Sequence, residues 1–201
     1  MEPTSQTNVQ PAGDAFEAQV RECFGRVAYS HKTHEKCADM LQAKLRLLKN
    51  TQITLSVIVS GTLIATVLGK DAASKIIATV LSAVLAGINL YFKNYNYGEL
   101  AQAHKETADQ LWNVRESYVS LLTDMATGAI PMEKATERRD RLQKELAAIY
   151  SKAPRTNAEA YKAAQKALKI SEDLTFSAEE IDAFLPGPLK RAGRPGKTVA
   201  N

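Results

Sequence analysis

The sequence has few of the residues that form disulfides, metal sites and active sites. It contains two cysteines, three histidines and one tryptophan among 201 residues. Cys23 and Cys37 fall on one predicted helix, where a rise of 1.5 Å per residue separates them by roughly 21 Å, too far for a disulfide within the chain. Free cysteines are typical of a reducing compartment, so the sequence favours a cytoplasmic setting for this region.

Sequence motifs of catalysis are also lacking. The chain has no GxxxxGK[ST] phosphate loop, no GxGxxG turn and no GxSxG nucleophile motif. His31 and His34 are spaced to face one side of a helix, but Cys37 falls on another side, so we expect packing there rather than a metal site. The sequence predicts no enzyme activity and no cofactor.

Charged side chains are missing from two stretches, residues 50–69 and 76–92, although the rest of the chain is rich in charge. Each stretch is close to the roughly 17–20 apolar residues that are needed to cross the hydrocarbon core of a bilayer. Only a short polar turn separates them, so the two helices would run antiparallel. We predict transmembrane helices at about 51–69 and 75–92 that insert together as a hairpin.

Both flanks of this hairpin carry heptad seams, in which apolar or small residues recur in alternating steps of four and three. The first seam consists of Val20, Phe24, Val27, Ala38, Leu41, Leu45 and Leu48. His31 and His34 occupy the two seam positions between Val27 and Ala38. The second consists of Tyr97, Ala101, His104, Ala108, Leu111, Arg115, Tyr118, Leu122 and Met125. The predicted fold is all-α: a two-helix transmembrane hairpin continuous with a cytoplasmic antiparallel helical bundle, whose seams pair as a coiled coil.

The expected organisation is one helical domain, residues 14–185, with two tails. Residues 1–13 are polar and predict a disordered leader, followed by Asp14 as the cap of the first helix. Residues 186–201 predict a basic disordered tail that accounts for the whole net charge of +4. Because the body is electrically balanced, we expect no nucleic acid as its partner. The tail is either a solvated end or a contact for anionic lipid headgroups.

Two capping-box patterns predict where later helices begin. Thr156 precedes Glu159 by three residues, and Ser177 precedes Glu180 by the same spacing. In such a box the first side chain and the last satisfy backbone N–H groups reciprocally. We therefore expect one helix to start after Thr156 and another after Ser177.

Arg115 is a cation on the second seam, and a buried cation needs a partner. Glu35 or Asp39 on the facing helix would supply a carboxylate. The pair would be either a structural ion pair or a switch contact that breaks on activation.

The two apolar helices offer small-residue faces and one polar stripe. Small residues let helix backbones approach closely in lipid, and we predict that the hairpin packs through Gly61, Ala65, Gly69, Ala83 and Gly87. At 100° per residue, a stripe about 80° wide on the second helix carries Lys75, Thr79, Ser82, Ala86 and Asn89. The stripe either packs against the first helix or lines a pore in a ring of copies, and Asn89 discriminates best between these alternatives.

Basic residues set the expected orientation. Five of them, Lys32, Lys36, Lys44, Arg46 and Lys49, precede the first apolar segment, whereas the turn region offers only Lys70 and Lys75. Positive loops stay in the cytoplasm. We predict a multi-pass protein with both termini cytoplasmic.

The arrangement from Phe16 to Leu185 resembles the SLATT family, the SMODS- and SLOG-associating two-transmembrane effector domains of bacterial conflict systems. The resemblance rests on the amphipathic helix, the tight hairpin, residues 112–118 and the segments 152–156 and 176–182. It implies an effector of the bacterial inner membrane that oligomerises and perforates the bilayer when a defence-system partner, often nucleotide-linked, triggers it. The alternatives are a membrane-tethered scaffold that binds a partner protein, and a soluble bundle with both apolar segments in its core.

Overall fold

A computed structural model describes residues 10–68, 72–94 and 96–190. Every regular element in these residues is helical, so the predicted all-α class is confirmed. The elements are α1 (Gln10–Leu68), α2 (Ala72–Asn94), α3 (Tyr97–Ala126), α4 (Met132–Lys152), α5 (Ala158–Lys169), α6 (Ala178–Phe184) and a 3₁₀ turn at Gly187–Leu189. Most of the predicted leader and tail lies outside the described residues.

α1 is a single helix of 59 residues, about 90 Å long at 1.5 Å per residue. The expectation that the first amphipathic helix continues into the apolar segment is confirmed. The predicted start is wrong, because α1 begins at Gln10 and Asp14 lies inside the helix rather than at its cap. Pro11 falls in the first turn, where a proline costs no backbone hydrogen bond, so it does not delay the helix.

α3 lies antiparallel along the first half of α1 and shares a core with it. The α1 side of this contact buries Val20, Val27, His31, His34 and Ala38. The α3 side buries Ala101, His104, Ala108, Leu111 and Tyr118. These are seam positions, because a repeat of alternating four and three residues keeps one face of each helix toward its partner.

α4 and α5 cover the α1–α3 pair. α4 contributes Ala135, Leu142 and Ile149 to the core. α5 packs on α1 through three buried alanines, and its Tyr161 ring stacks on Tyr29 of α1 with 6.1 Å between centroids.

The helix caps agree in part with the predicted capping boxes. The box of Ser177 with Glu180 is present at the start of α6. The helix predicted after Thr156 begins one residue later, because the Asn157 side chain accepts the hydrogen bond from the Ala160 N–H at 2.8 Å. An Asn side-chain oxygen caps a helix at least as well as a Thr hydroxyl does, so Asn157 becomes the N-cap of α5 in place of Thr156.

The buried core of α3 allows a direct test of this arrangement. We expect Leu111→Ala to lower the free energy of unfolding by about 3 kcal/mol, because the change loses apolar burial and leaves a cavity. Leu100→Ala on the same helix, where the side chain is 42% exposed, should cost about 1 kcal/mol or less. Denaturant unfolding of the detergent-solubilised chain, followed by circular dichroism, measures both. Equal losses in the two variants would contradict the assigned core.

Candidate functional site

The apolar parts of α1 and α2 expose most of their side chains. Within the described residues, α1 is the one helix that is long and apolar enough to cross a membrane, and only 6% of its most apolar stretch is buried. The apolar part of α2, Lys75–Tyr91, is shorter. Val57 on α1 is 67% exposed, and Ile76 on α2 is 65% exposed. A continuous apolar surface of this kind is unfavourable in water and marks a site of interaction.

α2 packs antiparallel on this part of α1 with a small contact. Val59 of α1 and Ala78 of α2 are its buried residues. Close to the end of the contact that is farther from the turn between α1 and α2, the Gln52 Nε2 donates a hydrogen bond to Asn89 Oδ1 at 2.6 Å. The two amides therefore satisfy each other, and Asn89 faces α1 within the same chain.

The polar stripe lies along the edge of the α1–α2 contact. Lys75, Thr79 and Ser82 line a shallow groove of about 350 Å³ together with Leu63 of α1. The Thr79 hydroxyl donates to the Lys75 carbonyl at 2.9 Å, which satisfies it within the helix. All five stripe residues, Lys75, Thr79, Ser82, Ala86 and Asn89, are exposed. The structure thus places Asn89 in the packing contact and leaves the others open to a neighbour.

The two described glycines of the proposed packing faces do not mediate the hairpin contact. A Cβ built on Gly61 or on Gly87 meets no atom within 4 Å. At 100° per residue, Gly61 lies about 200° around α1 from Val59, and Gly87 lies about 180° around α2 from Ala78. Both therefore point away from the partner helix. Ala83 is exposed, while the Ala65 side chain and Gly69 lie outside the described residues.

All three histidines of the chain are buried at the α1–α3 contact. The Nδ1 atoms of His34 and His104 are 2.9 Å apart, so one donates and the other accepts a hydrogen bond. This geometry requires a proton on one Nδ1 and none on the other, so the hydrogen bond is lost when both rings are protonated. Within the described part of the chain, no group of three His, Cys, Asp or Glu side chains is placed to hold a metal ion.

Burial keeps these histidines uncharged. It lowers the pKa of His34 to about 4, with further lowering by the neighbouring His104 and His31. Burial likewise lowers the pKa of His104. The pKa of His31 is lowered by burial in spite of the Glu35 carboxylate, whose Oε1 is 3.8 Å from His31 Nε2. The sequence contained a signal for this pair, because His34 and His104 are nearly equidistant from the turn of the hairpin.

The sequence suggested Glu35 or Asp39 as the partner of Arg115, but Arg115 pairs with neither. Its Nε donates to Glu116 Oε1 at 3.0 Å. The register explains the difference, because Arg115 lies about three turns, roughly 16 Å, along α3 from His104, which faces His34. Asp39 is exposed.

Glu35 has a different partner. Lys32 Nζ lies 2.9 Å from a Glu35 oxygen and 3.0 Å from a carboxylate oxygen of Asp173. Close by, His31 Nδ1 and Arg115 Nη1 are buried without a hydrogen-bond partner. An unsatisfied buried polar atom costs about 1–3 kcal/mol, so this part of the α1–α3 contact is not optimised for stability alone.

These features define a helical domain with a packed, charge-bearing half and an exposed apolar half. The chain belongs to family 4 of the SMODS and SLOG-associating 2TM effector domains, whose sequence profile matches residues 16–180. The predicted family is thereby confirmed. It is a family of membrane-associated, two-transmembrane effectors linked to defence systems. No curated protein matches the chain. Among solved structures there is likewise no match.

The histidine pair predicts a loss of stability in acid. Histidine in an unfolded chain titrates near pH 6.5 and His34 in the fold at about 4, so the unfolded chain binds more protons between these values. The contribution of the neutral histidine to the free energy of unfolding is fully present above about pH 6.5. Toward pH 4 it falls by about 1.4 kcal/mol per pH unit for one histidine.

We expect the thermal midpoint to fall between pH 7 and pH 5 and to fall less in the double variant His34→Gln, His104→Gln, which keeps a buried hydrogen-bonding pair without titrating rings. Circular dichroism in detergent measures the midpoints. Identical pH slopes for the two proteins would contradict the role assigned to these histidines.

Proposed function

We propose that this protein is an effector of the bacterial inner membrane, in which α1 and α2 insert as a hairpin and several copies assemble into a pore that halts the cell. The observation that carries the proposal is the exposure of the apolar halves of α1 and α2 next to a polar stripe. A soluble bundle would bury these residues, whereas the bilayer solvates them.

Groups at the end of α2 support a membrane boundary there. Tyr91 and Tyr97 bring their hydroxyls within 2.5 Å of each other, and Lys44 Nζ lies 4.9 Å from the Tyr97 ring centroid. Tyrosines and lysines are enriched at the membrane–water interface, where an apolar body and a polar tip are both satisfied. The short apolar part of α2 is matched to the bilayer by local thinning around it.

The pore hypothesis needs more than one copy. One chain presents one polar stripe, which cannot enclose water by itself, but a ring of chains with Thr79 and Ser82 turned inward can. The stripe side chains other than Asn89 are exposed in the single chain, which leaves them accessible to a neighbouring copy. A homo-oligomer is therefore the expected functional state, and a nucleotide-signalling or other defence-system component is the expected trigger.

A membrane-tethered scaffold is the second candidate function. The Gln52–Asn89 hydrogen bond favours it, because the most polar group of the stripe is already used in packing within the chain. In that case the hairpin anchors the chain and the helices outside the membrane bind a partner protein.

The hairpin topology predicts which cysteines an impermeant reagent reaches. We expect Ala72→Cys, at the start of α2, to react with an impermeant maleimide in intact spheroplasts. Ala158→Cys, at the start of α5, should react only after lysis. Both alanines are exposed, so accessibility differs only by the side of the membrane. Cys23→Ser, Cys37→Ser serves as the background. Labelling of both sites before lysis would exclude the proposed orientation.

The pore itself predicts a sharp difference between two Thr→Leu variants. Thr79 lies on the stripe, whereas Thr54 is exposed on the side of α1 that points away from α2. We expect Thr79→Leu to reduce potassium leakage from protein-loaded vesicles by about tenfold, because leucine dewets a polar pore wall, and Thr54→Leu to leave it within about twofold. Vesicle flotation checks that all proteins insert equally. If the parent protein inserts but causes no leakage, the pore hypothesis is excluded and the membrane-tethered scaffold remains.

A further inference from the structure

A cavity of about 610 Å³ opens on the side of α1 that faces the junction of α4 and α5. Its volume lies within the roughly 300–1,000 Å³ that small-molecule sites occupy. Four parts of the chain form it: α1, the end of α4, the connection 153–156 and the first turn of α5. It is separate from the apolar surface and from the polar stripe of α2.

Aromatic rings from three helices line the cavity. They are Tyr29 of α1, Tyr150 of α4 and Tyr161 of α5. The Tyr29 and Tyr161 rings stack with an interplanar angle of 30°, and the Tyr150 hydroxyl donates to Ser30 Oγ at 3.0 Å, so the rings are held in place. Tyr150 and Tyr161 still expose nearly half of their surface, which leaves ring faces for a planar ligand.

The charge of the lining favours an anion. Arg155 is its one charged residue, and none of the residues that line the cavity is an aspartate or glutamate. The N-terminus of α5, a helix of 12 residues, lies beside Arg155. Its partial positive charge is offset in part by Glu159 in the first turn, and its Ala160 N–H is capped by the Asn157 side chain, so Arg155 is the principal group that attracts an anion. His34 also lines the cavity; it is 4% exposed and neutral, so it presents a buried polar group without a charge.

A second cavity, of about 460 Å³, near Arg115 has the opposite character. Glu35, Asp109 and Asp173 all line it, and they outnumber its single arginine. An anion would be repelled there. The contrast favours the cavity at Arg155 over this second cavity as the site for a negatively charged ligand.

We propose that this cavity binds an organic phosphate with a planar ring, of the nucleotide class, with the ring against the tyrosines and the phosphate at Arg155 and the start of α5. Arginine and a helix N-terminus are the protein groups that bind phosphate well. Tyrosine rings supply the stacking surface.

Occupancy of the site would be transmitted through α1, and this regulatory part rests on the proposed membrane function. Tyr29, Ser30 and His34 belong to α1, which continues without a break into the apolar segment about 25 Å beyond His34. His34 also joins α1 to α3 through His104. A ligand that bridges α1 to α4 and α5 therefore acts on the α1–α3 contact, which determines the position of α1. It stabilises the arrangement of α1 to which it binds more tightly.

Binding is tested on the full chain in detergent by isothermal titration calorimetry. The probes are the four ribonucleoside monophosphates, adenosine and inorganic phosphate. We expect at least one monophosphate to bind about tenfold or more tightly than adenosine, which lacks the anion, and than phosphate, which lacks the ring. No binding by any monophosphate at millimolar concentration overturns the proposal. Phosphate that binds as well as the nucleotide marks an adventitious ion only and also overturns it.

Two matched variants locate the site. Arg155→Gln should weaken the monophosphate by about tenfold, whereas Lys162→Gln, which removes an exposed cation of α5 outside the cavity, should leave the affinity unchanged. Tyr161→Leu should weaken the monophosphate but not inorganic phosphate. Circular dichroism verifies that each variant is folded. Equal affinities of Arg155→Gln and Lys162→Gln would place the ligand elsewhere and refute the assignment.

Leakage from vesicles separates the site from its regulatory role. If saturating nucleotide changes potassium leakage by about threefold or more in the parent but not in Arg155→Gln, the regulatory link is supported. Leakage that does not respond to bound nucleotide overturns the link and leaves the binding site. A chain that binds nucleotide but never leaks refutes the pore and the link together, again without touching the binding result.

Discussion

The contact between α1 and α3 is the interaction on which the rest of the structure depends. It contains the largest fully buried side chains, among them Tyr118 and Leu111, and it receives α4 and α5 on its outer surface. A 59-residue helix has no stability of its own that could hold it straight in water, because most helical stability comes from packing one face. α3 provides that packing for the first half of α1, whereas the second half contacts α2 and leaves most of its apolar side chains exposed.

α1 thereby joins a packed half and an exposed apolar half in one continuous helix. Its first half carries a seam buried among protein groups, and its second half carries exposed apolar side chains. No proline interrupts it after Pro11, and one continuous helix spans both halves. A displacement of α1 against α3 is therefore a displacement of the membrane-directed segment.

The polar groups inside the α1–α3 contact give it a different character from an apolar coiled coil. His34 and His104 hydrogen-bond to each other only while at least one of the two rings is neutral. Arg115 and His31 each leave one buried nitrogen without a partner. A contact made of leucines would be more stable, but it would have no group whose state changes with protonation or with a neighbouring ligand. The structure thus combines a firm apolar core at Leu111 and Tyr118 with a marginal polar section.

The sequence by itself determined the helices and their approximate bounds, because these follow from local properties: periods of four and three residues, stretches without charge, and capping patterns such as Ser177 with Glu180. It also determined which residues are seam positions, and with them the burial of His31, His34 and His104. The errors at Asp14 and Thr156 were local as well, because α1 begins four residues before Asp14, at Gln10, and the neighbouring Asn157 caps α5 in place of Thr156.

Only the tertiary structure decided which side chains meet. The partner of Arg115 changed from Glu35 or Asp39 to Glu116, Gly61 and Gly87 turned away from the hairpin contact, and Asn89 was bound to Gln52 within the chain. The cavity at Arg155 is built from four elements and has no counterpart in any one segment. Each of these pairings depends on the register and rotation of one helix against another, and a shift of one residue rotates a side chain by 100°. Local sequence patterns constrain that rotation too loosely to specify the pairs.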